Sequence, residues 1–149
     1  MTPKPLRGIT SLPRQFANMP DNSGEIDPAV SGGVERPVDF LRVLAEKLGL
    51  DPQKLFDIAS TSSGQCWSLT TYCPVPGPVP TSPANRGYQG GFAAALMLKD
   101  LKLSQAAAQS SGAPTPLGAE ATQLYALFAA QGRENLDFSG IIKMLRGEP

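Results

Sequence analysis

Histidine is absent from this chain of 149 residues. Without an imidazole, the chain cannot form a Ser-His or Cys-His nucleophilic pair, nor a metal site that relies on histidine ligands. Cysteine is scarce too, and Cys66 and Cys73 alone make a poor tetrahedral metal cage. These absences argue against most hydrolases and metalloenzymes, and they predict no metal site. In an intracellular chain the two thiols are expected to stay reduced.

A net charge and a long apolar run are also lacking. Thirteen basic residues balance thirteen acidic residues, so little long-range attraction draws the protein to nucleic acid or to anionic lipid. No apolar run approaches the roughly 18 residues that span a bilayer, and the start of the chain lacks the apolar stretch of a secretory signal. We therefore expect a cytoplasmic protein that binds neither nucleic acid nor membrane.

A dinucleotide-binding fingerprint is the third absence. Such a site needs a run of β-branched residues that leads into Gly-x-Gly-x-x-Gly and a helix, and no such arrangement precedes residue 62. Residues 1–37 are instead rich in proline, glycine and polar residues without a sustained period, which predicts a disordered, irregular arm. No strand pattern occurs further along. Residues 38–149 are therefore predicted to form an all-α domain, a helical bundle.

Apolar residues at helical spacing and typical capping residues predict the elements of that domain. Asp51 followed by Pro52 is typical of a helix start, and Asp137 is predicted to cap the last helix. Five prolines between residues 73 and 85 predict an extended surface loop. The predicted helices span about 37–48, 52–60, 62–72, 92–109, 116–131 and 138–145.

The predicted helix over 92–109 is apolar on every side. Leu96 and Leu103 share one side of the helical wheel, whereas Leu98 and Leu101 lie roughly opposite. A helix that is apolar all round is normally buried. The pattern therefore predicts a central helix on which the others pack.

Several motifs carry a family resemblance, and they extend over most of the helical part. They are residues 48–52 (Leu-Gly-Leu-Asp-Pro), 62–67 (SSGQCW), 90–101 (GGFAAALMLKDL) and 137–139 (Asp-Phe-Ser). Over residues 44–147 the sequence resembles the C-terminal domain of the 3-hydroxyisobutyrate dehydrogenases, β-hydroxyacid dehydrogenases related to 6-phosphogluconate dehydrogenase. The resemblance implies an all-helical domain like the C-terminal domain of those enzymes, which carries much of the subunit interface. It also implies NAD-dependent oxidation of 3-hydroxyisobutyrate to methylmalonate semialdehyde in valine catabolism.

The resemblance also implies roles for single residues. Lys99 matches the family lysine that contacts the cofactor NAD; from the residue pattern alone, it is either a solvated lysine at a subunit edge or a cation that reaches a bound anion. Trp67 and Tyr72 offer an apolar wall and a hydroxyl that suit a small branched hydroxyacid, or they simply pack in the core. Phe92 and Asp100 are assigned to the same substrate site.

Two further parts of the family's site are weak or missing. Residues 30–34 (Val-Ser-Gly-Gly-Val) resemble the family's substrate-binding motif, which makes Ser31 and Gly32 candidate substrate ligands, or they match it by chance. The family's catalytic lysine lies in a Lys-x-x-Asn pattern, but no lysine occurs between Lys4 and Lys47. No catalytic residue is therefore predicted.

These observations lead to two functional hypotheses. The first is a truncated dehydrogenase that is inactive alone and does not bind NAD alone, because hydride transfer needs both a bound cofactor and a group that takes the hydroxyl proton. The second is a non-catalytic helical module that forms a homo-oligomer or joins a full-length dehydrogenase subunit. An exposed face of the central helix would favour such association.

Overall fold

The computed structural model describes residues 35–148, and helices dominate that part of the chain. The α-helices are α1 (Glu35–Lys47), α2 (Pro52–Ala59), α3 (Trp67–Thr70), α4 (Ala94–Ser111), α5 (Pro116–Phe128) and α6 (Ile141–Arg146). Short 3-10 turns occupy Pro83–Arg86 and Phe138–Gly140, and a π-helical turn follows α5 over Ala129–Arg133. No strand forms among these residues, where an isolated bridge joins Ala93 and Asp137. The predicted all-α fold is confirmed.

Most of the predicted irregular arm, residues 1–34, lies outside the described residues. Helix α1 begins at Glu35, ahead of the predicted domain boundary at residue 38. Pro37 falls in the first turn, where the missing N–H of proline leaves no hydrogen bond unmade. The division into an arm and a helical domain stays a prediction.

Capping side chains begin two of the helical segments, as the sequence predicts. Asp51 Oδ1 accepts hydrogen bonds from the backbone N–H groups of Gln53 (3.0 Å) and Lys54 (3.1 Å) at the start of α2. Asp137 Oδ1 accepts one from the N–H of Ser139 (3.0 Å) in the turn before α6. Caps of this kind contribute about 1 kcal/mol each.

The third predicted helix, over 62–72, is much shorter in the structure, where it is limited to α3. Ser62 Oγ donates to the carbonyl of Ala59 (3.3 Å), so this hydroxyl closes the end of α2. Cys66 is extended, with φ of −154°, and the helix begins only after it. The predicted length is wrong because hydroxyl side chains here compete with the helical backbone for the same carbonyls.

Helix α4 buries one face and leaves the other open. Its buried side chains are Ala94, Met97, Leu101 and Ala108. Most of them join a core with Ala121, Tyr125 and Phe128 of α5, and with Phe138 and Ile141. On the other face, Leu96 and Leu103 are 47% and 41% exposed. The prediction that α4 is buried on every side is wrong for the described residues, because the elements packed on it cover only one face.

Two carbonyl groups of the proline-rich segment over 73–85 accept hydrogen bonds from buried hydroxyls, one from Tyr88 in the core and one from Ser82 within the segment itself. The Tyr88 hydroxyl donates to the carbonyl of Pro74 (2.8 Å), and the Ser82 hydroxyl donates to that of Cys73. Residues 73–75 and 82–84 of the segment are buried. The prediction of a surface loop is therefore only partly correct. Buried carbonyls need hydrogen-bond donors, and the two hydroxyls supply them.

Candidate functional site

Three aromatic rings stack in a row next to the start of α4. The ring centroids of Trp67 and Tyr72 are 4.9 Å apart with an interplanar angle of 20°, and those of Tyr72 and Phe138 are 5.2 Å apart at 15°. Phe92 meets Phe138 edge-on, with centroids 6.2 Å apart. Trp67, at the open end of the row, is 44% exposed. The structure thus brings together three predicted substrate residues, Trp67, Tyr72 and Phe92.

The carboxylate of Asp137 joins these rings to the backbone. Its Oδ2 accepts hydrogen bonds from the Tyr72 hydroxyl (2.7 Å) and from the N–H of Phe92 (2.9 Å). Its Oδ1 accepts from the N–H (3.0 Å) and the hydroxyl (2.6 Å) of Ser139. Sequence reasoning identified Asp137 only as a cap, although the Asp-Phe-Ser motif and the Gly-Gly-Phe motif were both visible. The Tyr72 hydroxyl, predicted for a substrate, donates to this carboxylate.

The Tyr72 phenol has an unusual titration. Burial, and then the hydrogen bond to Asp137, raise its pKa well above the ordinary 10.0. The unfolded chain loses the proton near pH 10.0 while the folded chain keeps it. The contribution of the protonated Tyr72 hydroxyl to the free energy of unfolding is therefore complete below pH 10.0, and it is lost as the pH rises from there towards the folded-state pKa.

We therefore expect the free energy of unfolding to fall with pH above the ordinary tyrosine pKa, and Tyr72→Phe to flatten that fall. Urea unfolding at a series of alkaline pH values measures the slope. Burial raises the pKa of Tyr88 to about 12, so Tyr88→Phe should remove its own, separate part of the slope. An alkaline slope that is the same with and without the Tyr72 hydroxyl would contradict this assignment.

Lys99 and Asp100 lie on α4, which begins two residues after Phe92. Lys99 Nζ lies 2.5 Å from Asp100 Oδ1, and the Lys99 side chain is 59% exposed. An exposed pair of this kind contributes at most about 1 kcal/mol. The ammonium is therefore available to an incoming anion, on the same open face of α4 as Leu96 and Leu103.

The remaining predictions concern residues or sites outside this cluster. Ser31 and Gly32 lie outside the described residues. Within residues 35–148, no three His, Cys, Asp or Glu side chains come together as a metal site would require. No helix in that part of the chain has the length and apolar character to cross a membrane.

Comparison with known proteins identifies relatives of this chain. Residues 41–145 match the family model described as "NAD-binding of NADP-dependent 3-hydroxyisobutyrate dehydrogenase". A probable 3-hydroxyisobutyrate dehydrogenase of Mycobacterium tuberculosis H37Rv is 55% identical over 104 residues, which cover 70% of this chain and 35% of the relative. The mitochondrial 3-hydroxyisobutyrate dehydrogenase of Bos taurus is 47% identical over 105 residues, covering 70% and 31%. The chain thus spans about a third of these relatives.

Solved structures agree with the sequence comparison. The M. tuberculosis 3-hydroxyisobutyrate dehydrogenase with L-serine superposes with a TM-score of 0.75 and 49% identity, covering 79% of this chain and 40% of that one. The enzyme of the same name from Salmonella typhimurium is only 21% identical with a TM-score of 0.60, and it supports the fold alone. On the sequence match and the shared helical fold together, the chain belongs to the 3-hydroxyisobutyrate dehydrogenase family.

Proposed function

We propose that the helical domain supplies the substrate wall and one cofactor contact of an NAD-dependent 3-hydroxyisobutyrate dehydrogenase of valine catabolism. The observation that carries this proposal is the aromatic row of Trp67, Tyr72 and Phe138, with Phe92 at its side and an open end at Trp67. L-serine, named with the M. tuberculosis relative, and 3-hydroxyisobutyrate share a 3-hydroxypropanoate skeleton and differ at C2, where serine has an amino group and the other acid a methyl group. An aromatic wall suits that methyl group.

The cofactor contact falls to Lys99. When bound, NAD would supply the hydride acceptor for oxidation at the hydroxyl-bearing carbon. The described residues fit this cofactor through one contact, the exposed Lys99 ammonium on α4. The sequence has no Gly-x-Gly-x-x-Gly loop whose N–H groups would hold the pyrophosphate. A cytoplasmic location stays a prediction, since the bovine relative is named mitochondrial.

An active fusion enzyme tests the proposed function. Residues 41–145 of this chain would replace the matching segment of the M. tuberculosis relative. The fusion enzyme is expected to reduce NAD with 3-hydroxyisobutyrate, whereas the 149-residue chain alone is expected to show neither turnover nor NAD uptake, because it lacks the loop and the family's catalytic lysine. NADH absorbance and isothermal titration measure the two properties. A folded but inert fusion, or turnover by the chain alone, would contradict the proposal.

A second function, an interaction module, is favoured by the outer face of α1. Phe40, Leu41 and Leu44 fall within one side of this helix, and Leu48 follows directly after its end. All four are exposed, with Leu48 reaching 77%. An apolar stripe of this kind commonly marks an interface. A second copy of the chain or a full-length dehydrogenase subunit is the proposed partner.

We expect the chain to self-associate through this stripe, because association removes the exposed leucines from water. Sedimentation velocity should detect a dimer or larger species whose population rises with concentration. The double variant Leu44→Lys/Leu48→Lys should shift it to a monomer. Leu127→Lys, at an exposed leucine on α5, is the matched control and should leave association unchanged. A wild-type chain that stays monomeric at all concentrations rules out the module as a dimer.

A further inference from the structure

We propose that Asp137 is the positioning residue of the candidate site, whose carboxylate fixes the Trp67–Tyr72 stack relative to Phe92. The inference deepens the proposed function and depends on it for the meaning of the site as a substrate wall. The contacts that carry it lie within the described residues, and they can be tested whether or not the domain supports turnover.

A single oxygen atom of Asp137 joins the two parts of the wall. Oδ2 accepts from the Tyr72 hydroxyl at 2.7 Å and from the backbone of Phe92 at 2.9 Å. Asp137 is only 1% exposed, so water cannot readily take over either bond if the carboxylate is lost. The Tyr72 ring in turn stacks on Trp67. The position of the exposed indole therefore depends on the buried carboxylate through one intermediate ring.

The carboxylate is itself held from several directions. Its other oxygen accepts both donors of Ser139, and the Asp137 N–H donates to the carbonyl of Tyr88 (2.9 Å). The neighbouring backbone pairs across the bridge, since the N–H of Phe138 donates to the carbonyl of Phe92 (2.8 Å). Asp137 thus has little freedom to move, which makes it a fixed reference for the side chains that bond to it.

The donor pattern explains why the residue is an aspartate. All four partners donate to the carboxylate, and two of them are backbone N–H groups, from Phe92 and Ser139. Hydroxyl groups can rotate to accept a hydrogen bond, but a backbone N–H cannot. An asparagine would direct its NH₂ group at one of the two N–H groups in either orientation. Asp137→Asn should therefore weaken the hydrogen bonds at one of the two oxygen positions while keeping the size of the side chain.

The experiment uses the full chain and its only tryptophan, Trp67, as the reporter. Acrylamide quenching of Trp67 fluorescence is measured for the wild type, Asp137→Asn and Tyr72→Phe, together with near-UV circular dichroism in the tryptophan band at wavelengths where tyrosine does not absorb. Tyr88→Phe is the matched control, because it also removes a buried tyrosine hydrogen bond, to the carbonyl of Pro74. All samples are compared at a temperature where urea titration shows each to be fully folded.

We expect Asp137→Asn and Tyr72→Phe to raise the quenching constant about twofold and to weaken the near-UV signal, and Tyr88→Phe to change neither. Unchanged Trp67 signals in both site variants, or the same change in Tyr88→Phe, would overturn the proposal. If Asp137→Asn fails to fold, Tyr72→Phe decides alone, because it keeps the ring and removes only the link. Failure of the proposed function is detected separately, as an inert fusion enzyme.

Discussion

Gly91→Ala is expected to lower the free energy of unfolding by about 3 kcal/mol or more. Gly91 has φ of +106°, a conformation that a residue with a side chain rarely adopts, and a Cβ atom there would lie 2.3 Å from Asp137 Oδ2 and 2.7 Å from the Tyr72 hydroxyl oxygen. The two oxygen atoms are hydrogen-bonded to each other, so neither can move away from the new Cβ atom without straining or breaking that bond. The estimate combines backbone strain with one lost buried hydrogen bond.

Gly77→Ala provides the matched control. Gly77 also has φ of +106°, but a Cβ atom there would have no neighbour within 4 Å. Its substitution should therefore cost only the backbone strain, about 1–3 kcal/mol, without the lost hydrogen bond. Urea unfolding of the two variants and the wild type measures the difference. Equal losses would mean that the contact with Asp137 and Tyr72 contributes nothing.

Lys99→Gln in the fusion enzyme is expected to raise KM for NAD between about tenfold and a hundredfold, because a hydrogen bond from a charged group contributes about 1.5–3 kcal/mol. Lys99 is the exposed cation on the open face of α4, and glutamine keeps most of its length without the charge. Steady-state kinetics with varied NAD at saturating 3-hydroxyisobutyrate measure the effect. Lys99→Arg should restore part of the affinity.

Lys102→Gln is the control for the loss of a positive charge from α4, since Lys102 is also exposed on this helix. It should change KM by less than about twofold, as expected for a solvated lysine. If both glutamine variants weaken NAD binding equally, the general charge of the helix is responsible. If neither does, Lys99 is a solvated lysine at a subunit edge, which is the alternative that the sequence left open.

Local signals in the sequence predicted most helix positions. Asp51 with Pro52 began α2, and Pro116 began α5, because caps and proline act within one turn. The start of α4 was predicted two residues early, at Phe92. The N–H of Ala94 donates to the carbonyl of Leu136 (2.8 Å), so the bridge to a distant segment holds this part of the chain out of the helix. Sequence periodicity contains no information about such a partner.

The candidate site, too, was predicted only in part. Trp67, Tyr72 and Phe92 were identified from motifs, and the structure brings their rings together. The role of Asp137 could not be predicted, because its bonds to Tyr72 and Phe92 cross 65 and 45 positions of the sequence. The exposure of Leu96 was not predicted for a related reason. When a helix is apolar on every side, its sequence does not show which face the neighbouring elements will cover.

A crystal structure of the fusion enzyme with NAD and L-serine would show whether the aromatic row and Lys99 line the substrate and cofactor sites, since the M. tuberculosis relative is named with L-serine. We expect L-serine in van der Waals contact with the rings of Phe92 and Trp67, and the Lys99 ammonium within hydrogen-bond distance of the cofactor. A ligand bound away from both rings, with Lys99 still paired to Asp100 and no contact with NAD, would contradict it.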